Sequence, residues 1–492
     1  SHGIDFSNPI ECKKVLQELA NNLDFQKIYH ITAPTPEQVE AALQSSYEAA
    51  KSWRKTDPQL RVGYIRKLAG LLEENKSELI FLLVHEAGKT LNDAVAEVRE
   101  AIDFCWYYSQ RTDLDFQAQK LIGPTGEHNQ IKLHGRGVIA CISPWNFPLA
   151  IFLGQISASL LAGNAVLAKP ASQTPLIAAK TIELLHLSGI PEDVVQLLAG
   201  SGSVVGQALV NDQRINGVMF TGSTETARGI NQTLANRPGP IIPFVAETGG
   251  QNAMIVDSSA LVEQVVKDVV TSAFGSAGQR CSSLRVLYLQ HDIADRIINM
   301  LCGAMAELRI GDPMELSTDI GPVIDQKAHK MLEAHKQEML KQAKLLYQVE
   351  LSEDLQTGNF FGPCAFEIQS ISQLKGEVFG PILHIIRFKA SDLEQIITDI
   401  NNVGYGLTLG IHSRITETVD FIVERAHVGN IYVNRNMIGA VVGVQPFGGE
   451  GLSGTGPKAG GPHYLPRLAI ERTLSVNTAA AGGNASLVSL QE

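Results

Sequence analysis

Cys281 has the surroundings of a nucleophile more than those of a structural thiol. It lies in the segment SAGQRCSS (276–283), between an apolar run typical of a helix and the strand-like run LRVLYL. A thiol that follows glycine at the edge of a sheet is placed where α/β folds carry their chemistry. A neighbouring cation would favour the thiolate, which is the reactive form. Cys281 is therefore a candidate nucleophile, and a buried core thiol is the alternative.

The other cysteines fit structural positions better. Cys105, Cys141, Cys302 and Cys364 sit in apolar surroundings, which predicts buried thiols, and Cys12 lies beside lysines in a polar segment. No two cysteines form a C-x-x-C pair, and six would be sparse as bridges in a chain of 492 residues. We therefore expect a reducing, cytoplasmic environment.

Two further side chains could serve acyl chemistry. Glu247 follows the apolar run PFVA and precedes two glycines, as ETGG. Burial there would raise the carboxyl pKa towards neutrality, which suits a general base; a helix-capping or surface glutamate is the alternative.

Asn146 lies between two prolines in SPWNFP (143–148). A rigid amide donor suits an oxyanion hole, and a turn asparagine is the alternative.

Phosphate-binding signals are present but weak one by one. The run GSGSVVG (200–206) is one residue too long for G-x-G-x-x-G, and the chain has no Walker A motif. The run FTGSTE (220–225) follows a predicted strand and opens a predicted helix, whose free N–H groups would favour a phosphate. The histidine spacing gives no zinc site, and we expect no metal.

The pattern along the chain supplies a scaffold for these residues. Residues 35–118 predict helices, with TPEQ (35–38) as a capping box and further helices near 59–74, 76–87 and 92–110. From 138 to 257 short apolar runs alternate with helix-length segments, which predicts a doubly wound parallel sheet. Thr174-Pro175 has the form of a cap followed by an N1 proline. A second α/β region follows from about 260 to 436, with strands LRVLYL, ILHIIRF, LTLGIHS and GNIYVN, and residues 119–137 could carry a polar hairpin.

Composition sets the class of protein. With 44% hydrophobic and 18% charged residues the chain is globular, which excludes disorder, collagen and coiled coil. A net charge of −11 without a basic patch argues against nucleic-acid binding. The uncharged stretch 137–168 is long enough for a membrane span, but its polar and proline residues predict strand, helix and strand instead. The opening Ser1-His2 looks like a cloning scar, and we expect the segment to have been cut from a longer native chain.

The motifs together resemble the NAD(P)-dependent aldehyde dehydrogenases. PWNFP, Lys169-Pro170, FTGS, ETGG, GQRC and EVFGP (377–381) occur in the order of that family over nearly the whole chain. The resemblance implies that Cys281 attacks the aldehyde, that Asn146 and the Cys281 N–H hold the oxyanion, and that Glu247 activates the water that hydrolyses the thioester. It implies NAD as cofactor, bound by the set Ser143, Trp145, Lys169, Gly222, Ser223, Glu377 and Phe379.

A narrower resemblance concerns the substrate. The run GAVVGVQPFGG (439–449) followed by SGTGPKAGGPHY (453–464) looks like the L-glutamate γ-semialdehyde (1-pyrroline-5-carboxylate) dehydrogenases, and in particular like the C-terminal half of bifunctional proline utilization A proteins. The resemblance implies that Gly439, Ala440 and Ser282 hold the substrate carboxylate. Phe147 and Phe447 would sandwich the aliphatic chain, with core packing as the alternative, and Glu100 is a candidate for closing the aldehyde end.

The resemblance also implies an arrangement of domains. We expect an NAD-binding domain (3–118 and 138–246), a catalytic domain (247–448), an oligomerisation β-flap (119–137 and 467–477) and a flexible or docking tail (478–492). An edge strand of the flap would pair between subunits, which predicts a homodimer. A proline dehydrogenase half could precede this segment in the native chain.

One position departs from the family pattern. Ser172 stands where the family usually has glutamate, three residues after Lys169. Glutamate there would repel a 2′-phosphate, so serine weakens the preference for NAD over NADP, although we still expect NAD. Two rival functions remain: another semialdehyde dehydrogenase, such as one for succinate semialdehyde, and a non-catalytic scaffold that kept the fold.

Overall fold

The computed structural model describes residues 4, 6, 8–21 and 31–478. The predicted tail (478–492) therefore lies outside the described residues apart from Thr478, and so do Ser1 and His2. The side chain of Cys12 is likewise not described.

The first part of the chain is helical, as the sequence predicts. The helices are α1 (Pro9–Asn21), α2 (Pro36–Trp53), α3 (Pro58–Glu74), α4 (Lys76–Ala87) and α5 (Leu91–Asp115). The capping box before α2 is confirmed, because the Thr35 hydroxyl accepts from the Gln38 N–H at 3.3 Å and the Gln38 side chain accepts from the Thr35 N–H at 2.8 Å. Helix α5 is long and buries one face against α3 and α6.

A parallel sheet follows, and it confirms the predicted strand–helix alternation. In chain order the elements are β1 (Gln119–Leu121), β2 (Glu127–Gly135), β3 (Val138–Ile142), α6 (Ala150–Leu161), β4 (Ala165–Lys169), α7 (Pro175–Leu187), β5 (Val195–Leu197), α8 (Gln207–Asn211), β6 (Ile215–Thr221), α9 (Thr224–Asn236) and β7 (Phe244–Glu247). Strands β3 to β7 form one sheet in the order β5-β4-β3-β6-β7, and every pair in it is parallel. This order reverses direction at β3, as in doubly wound folds.

The uncharged stretch 137–168 folds as β3, α6 and β4, which confirms the prediction made for it. Its strands are buried on both faces because helices cover both sides of the parallel sheet. In the part of the chain that the structure describes, no helix is long and apolar enough to cross a membrane.

The start of α7 corrects one expectation. Thr174 precedes Pro175 as predicted, but its side chain makes no capping hydrogen bond. The carboxylate of Glu86, on α4, instead accepts from the Leu176 and Ile177 N–H groups at 2.7 and 3.0 Å. The two carboxylate oxygens of Glu86 thus cap the N-terminus of α7 across a tertiary contact, which no local sequence pattern could indicate.

The second α/β region contains more strands than the sequence indicates. Its elements are β8 (Ala253–Val256), α10 (Val262–Phe274), β9 (Val286–Gln290), α11 (His291–Ala306), α12 (Gln326–Gln342), β10 (Lys344–Gln348), β11 (Cys364–Glu367), β12 (Ile382–Phe388), α13 (Leu393–Asn402), β13 (Tyr405–Gly406), β14 (Thr408–His412), α14 (Thr416–Arg425), β15 (Asn430–Val433), β16 (Glu450–Gly451), α15 (Tyr464–Arg467) and β17 (Ala469–Asn477). The sheet order is β10-β11-β12-β9-β8-β14-β15. Strands β10 and β11 escaped prediction because β10 is a partly exposed edge and β11 has only four residues.

A third sheet joins residues far apart in sequence. Strands β1 and β2 form an antiparallel hairpin, and β17 pairs antiparallel with β2 along its whole length, from Ala469 opposite Gly135 to Asn477 opposite Glu127. Ile470, Leu474 and Val476 alternate along β17 and are all exposed. A fourth sheet consists of the two short strands β13 and β16, which pair antiparallel. The predicted domain boundaries stay predictions.

Candidate active site

Cys281 lies in the connection between α10 and β9, after a left-handed turn. Ser276, Ala277 and Gly278 have φ of 54°, 53° and 65°, so three successive residues adopt the left-handed conformation. The Cys281 carbonyl accepts from the Asn252 side-chain amide at 2.6 Å. A side chain at Gly278 would overlap the Gly380 carbonyl, so this turn packs directly against the chain around Phe379.

Burial raises the pKa of the Cys281 thiol to about 12, and the carboxylates of Glu377 and Glu247 add to this effect. A nearby cation, Arg285, does lower this pKa as expected, but burial and the two carboxylates outweigh it. The adjacent cation, Arg280, forms an ion pair with Asp93 at 2.6 Å. The charge of Arg280 is therefore neutralised by a residue from α5.

Glu247 ends β7 at the carboxyl edge of the sheet. Its Oε2 accepts from the Gly449 N–H at 3.2 Å, whereas its Oε1 is buried and has no hydrogen-bond partner among the described residues. Burial raises the carboxyl pKa well above its ordinary value. The surface and helix-capping alternatives are thereby excluded, and Glu247 has the desolvated setting that a general base needs.

Asn146 is held against the loop that carries Cys281. Its side-chain amide donates to the Gln279 carbonyl at 3.0 Å, and the residue is 9% exposed. The amide therefore contacts the backbone two positions before the nucleophile in the chain. A donor held there could meet a developing oxyanion.

The residues proposed for substrate binding line a single cavity of about 110 Å³. This cavity, which we call the substrate cavity, contains the two reacting side chains and all six predicted substrate residues: Cys281, Glu247, Glu100, Phe147, Ser282, Gly439, Ala440 and Phe447. Burial raises the pKa of Glu100 to about 7, and the nearby Glu97 contributes. Gly439 has φ of 81°, a conformation that glycine adopts without strain.

The substrate cavity also contains residues that sequence analysis missed. Phe104 and Tyr108 follow Glu100 at spacings of four along α5, a helical stripe that could have been found. Gln155 donates to the Thr221 hydroxyl at 3.1 Å, and Tyr464 packs in a stacked pair with Tyr108 at 5.7 Å between centroids. These four side chains therefore form part of the cavity wall.

Arg285 is a further residue that sequence analysis did not single out. Its guanidinium is buried and donates to the carbonyls of Gly278 and Arg280 at 2.6 and 2.9 Å. It also pairs with Glu377 at 3.2 Å. Arg285 thus connects the backbone of the Cys281 loop with the segment that carries Glu377 and Phe379.

The predicted cofactor residues meet at the carboxyl edge of the first sheet. Ser143 follows β3, Lys169 ends β4, and Gly222 and Ser223 follow β6. Ser223 is the N-cap of α9 and accepts from the Thr226 N–H at 3.2 Å. This edge is where open α/β sheets bind their ligands. None of these residues lines the substrate cavity.

These side chains fit a dinucleotide. Burial lowers the pKa of the Lys169 ammonium to about 8, and it donates to the Pro170 carbonyl at 2.8 Å. The Ser143 hydroxyl is buried without a hydrogen-bond partner among the described residues. Ribose hydroxyls would satisfy both groups, and the first turn of α9 offers N–H groups for phosphate.

The nicotinamide side of this cleft would lie near the Trp145–Phe379 pair. The two rings meet edge to face with centroids 5.5 Å apart. The Glu377 carboxylate is buried beside them, and a side chain at Gly249 would overlap it. In the described part of the chain no cluster of three or more His, Cys, Asp or Glu could hold a metal ion.

The chain is similar to known proteins over most of its length. Residues 11–473 match the Aldehyde dehydrogenase family. The chain is 53% identical over 453 residues to the bifunctional protein PutA of Escherichia coli K12, covering 90% of this chain and 33% of that protein. It is 37% identical over 443 residues to the 1-pyrroline-5-carboxylate dehydrogenase of a Geobacillus species, covering 89% of this chain and 85% of the relative.

Solved structures are similar over most of the chain. A bifunctional proline utilization A (PutA) protein superposes with a TM-score of 0.95 at 51% identity, over 98% of this chain and 48% of the other. A Thermus 1-pyrroline-5-carboxylate dehydrogenase with bound NAD superposes with a TM-score of 0.87 at 34% identity, over 91% of this chain and 87% of the other. The chain therefore spans about a third of the E. coli PutA sequence and most of the length of the monofunctional relatives.

Proposed function

The chain belongs to the aldehyde dehydrogenase family, and from this premise we propose that it oxidises L-glutamate γ-semialdehyde to L-glutamate with NAD. The observation that carries the proposal is the substrate cavity, which joins Cys281 and Glu247 to the loop of Gly439 and Ala440. The identity to 1-pyrroline-5-carboxylate dehydrogenases over most of their length supports the same substrate.

The first step is attack of the Cys281 sulfur on the aldehyde carbon, which forms a thiohemiacetal. The thiol proton must leave to solvent before attack, because the thiolate is the reactive form. The Asn146 amide and the Cys281 N–H hold the oxyanion. When NAD is bound, it accepts the hydride from the thiohemiacetal carbon, and a thioester remains.

The second step is hydrolysis. Glu247 takes a proton from water, and the resulting hydroxide attacks the thioester carbonyl. The carbon–sulfur bond then breaks, the proton held by Glu247 passes to the leaving sulfur, and the acid and the Cys281 thiol are released. The unpartnered Oε1 of Glu247 is free, within the described structure, to accept from that water. Its raised pKa makes Glu247 a stronger base than an exposed glutamate.

Substrate selection follows from the other walls of the cavity. Gly439, Ala440 and the Ser282 hydroxyl provide N–H and O–H donors for a carboxylate, and Phe147 and Phe447 offer apolar faces to the methylene chain. Succinate semialdehyde carries a carboxylate but no α-ammonium group. Its turnover beside that of glutamate γ-semialdehyde therefore reports whether the cavity selects the amino-acid group. Glu100 lines the same cavity and is proposed to close its aldehyde end.

Cofactor binding is proposed for the cleft at the carboxyl edge of the first sheet. Lys169 would hold the adenosine ribose, Glu377 the nicotinamide ribose, and Gly222 and Ser223 the pyrophosphate. Ser143, Trp145 and Phe379 would line the cleft.

We also propose a homodimer built through the sheet of β1, β2 and β17. A proline dehydrogenase part in the native chain is a further proposal, supported by the bifunctional relatives, of which this chain spans about a third.

The test is NADH formation, followed by absorbance, with glutamate γ-semialdehyde, succinate semialdehyde and propanal side by side. A strong preference for glutamate γ-semialdehyde that Cys281→Ala abolishes is expected. Cys302→Ser is the matched control, because Cys302 is half-buried on α11 and outside the substrate cavity. Equal turnover of succinate semialdehyde would reject the proposed substrate, and activity in Cys281→Ala would reject the nucleophile.

A further inference from the structure

Helix α5 carries three acidic side chains on the face that points towards the site. Asp93, Glu97 and Glu100 are spaced i, i+4 and i+7, which aligns them along one side of a helix. Glu100 lines the substrate cavity. Asp93 and Glu97 do not line it. Asp93 forms an ion pair with Arg280, and Glu97 forms one with Lys89.

Asp93 holds the turn that precedes the nucleophile. Its Oδ1 accepts from Arg280 at 2.6 Å, and its Oδ2 accepts from the Ser276 hydroxyl at 2.8 Å. Arg280 Nε in turn donates to the Ser276 hydroxyl at 2.9 Å, which closes a ring of three side chains over the left-handed turn. Such a backbone is strained for the non-glycine residues Ser276 and Ala277, so the turn needs contacts of this kind to persist.

Glu97 holds the segment that carries the oxyanion donor. Its Oε1 accepts from the Leu149 and Ala150 N–H groups at 2.8 and 3.1 Å, at the start of α6 and three residues after Asn146. Its Oε2 pairs with the Lys89 ammonium at 2.9 Å, and both side chains are almost fully buried. The position of Asn146 therefore depends on where α5 presents this carboxylate.

The two cations meet again at Phe147, the residue after Asn146. The Lys89 ammonium lies 4.4 Å from the centre of the Phe147 ring and the Arg280 guanidinium carbon lies 5.5 Å from it. Both cations are thus neutralised from α5 while they contact one wall of the substrate cavity.

We propose that Asp93 and Glu97 are positioning residues that together set the distance between the Asn146 amide and the Cys281 thiol. The inference rests on the proposed function, because it concerns an oxyanion donor and a nucleophile. One turn of a rigid helix separates the two carboxylates. Helix α5 therefore fixes the turn before Cys281 relative to the segment that carries Asn146. A displacement of about 1 Å in such a site can lower a rate by about 10²-fold.

A double-mutant cycle tests this relation. Glu97→Gln is expected to lower kcat by about 10²-fold and to leave KM for NAD unchanged. If Glu97 acts through Asn146, adding Glu97→Gln to Asn146→Ala should cause no further loss. Multiplicative losses in the double variant would overturn the inference. Should Glu97→Gln not fold, Glu97→Asp keeps the charge, shortens the reach and enters the same cycle with the same expectation.

Asp93 gives an independent readout. In Asp93→Asn, Arg280 loses its counter-charge, so its guanidinium can favour the nearby thiolate while the turn loosens. We expect kcat to fall while alkylation of Cys281 by iodoacetamide becomes severalfold faster. If Asp93 had a merely structural role, kcat and the alkylation rate would both fall or both stay unchanged. That outcome would overturn the inference for Asp93.

Asp113→Asn is the matched control, because Asp113 lies on the same helix in a partly exposed ion pair with Arg66 at 3.0 Å. Neither kcat nor the alkylation rate should change in this variant. Failure of the proposed function is distinguishable, since it would appear as wild-type protein without NADH formation that depends on Cys281. Failure of the inference would appear as an active wild type in which the losses of kcat from the Glu97 and Asn146 substitutions multiply in the double variant.

Discussion

The Glu247 carboxyl and the Cys281 thiol line the same cavity, and burial raises the pKa of both. Burial disfavours the ionised form of each group, and when Glu247 is ionised its charge makes the thiol harder still to ionise. Attack and hydrolysis both require that a proton leave this cavity. The chemistry and its pH dependence follow from this pair.

Glu247→Gln should separate the two halves of the reaction. The amide has nearly the shape of the carboxyl but cannot accept a proton from water, so the thioester should accumulate. In rapid-mixing absorbance we expect a burst of about one NADH per chain, followed by a steady rate lowered by about 10²–10⁴-fold. A steady rate like that of the wild type would remove Glu247 from the hydrolytic step.

Activity should rise with pH. The Cys281 pKa is raised to about 12 and that of Glu247 is raised well above its ordinary value, so the deprotonated forms that react become more populated as pH increases. The expected profile of log kcat/KM against pH increases from mildly acidic to alkaline solution. A profile that falls over this range in folded enzyme would contradict the pairing described above.

Ser282→Ala should weaken recognition of the carboxylate. Ser282 lines the substrate cavity beside the nucleophile, and a hydrogen bond to a charged group contributes about 1.5–3 kcal/mol. This corresponds to a KM for glutamate γ-semialdehyde raised by roughly 10–100-fold. Propanal, which has no carboxylate, is the internal control, and its kinetics should stay as in the wild type. Equal effects on both aldehydes would mean that Ser282 supports the nucleophile instead.

Ser172→Glu should sharpen the choice of cofactor. Ser172 is exposed and lies three residues after Lys169, in the connection that leaves β4. A carboxylate there would repel the 2′-phosphate of NADP and accept from a ribose hydroxyl of NAD. We expect the ratio of kcat/KM for NAD to that for NADP to increase, chiefly through a loss with NADP. An unchanged ratio would show that this position does not face the adenosine ribose. A higher kcat/KM with NADP in the wild type would reject the proposed cofactor.

Leu474→Lys should disrupt the proposed homodimer. Leu474 is 47% exposed on β17, on the same face as Ile470 and Val476, and a buried unpaired ammonium would oppose association there. Light scattering should report a lower mass for this variant. Thr473→Lys, on the opposite face of the same strand, is the control and should keep the mass of the wild type. A dimer that survives Leu474→Lys would exclude this face as the interface.

Much of the fold was predictable because its signals are local. Alternating apolar runs and helix-length segments indicated β3, β4, β6, β7 and the helices between them, and the Thr35 capping box depends on residues three apart. The partly exposed edge strand β10 and the four-residue strand β11 have no such pattern. The cap on α7 failed as a prediction because Glu86, about 90 residues earlier, replaces the side chain of Thr174.

The candidate site divides in the same way. The sequence by itself determined which residues could react, since Cys281, Glu247 and Asn146 each stand in a short motif with the right chemistry. Only the tertiary structure decided their protonation and their charged neighbours. Desolvation depends on packing from every side, and Arg280 is neutralised by Asp93, 187 positions away in the chain. An adjacent cation in the sequence therefore says nothing about the charge that the thiol experiences until the fold supplies its partner.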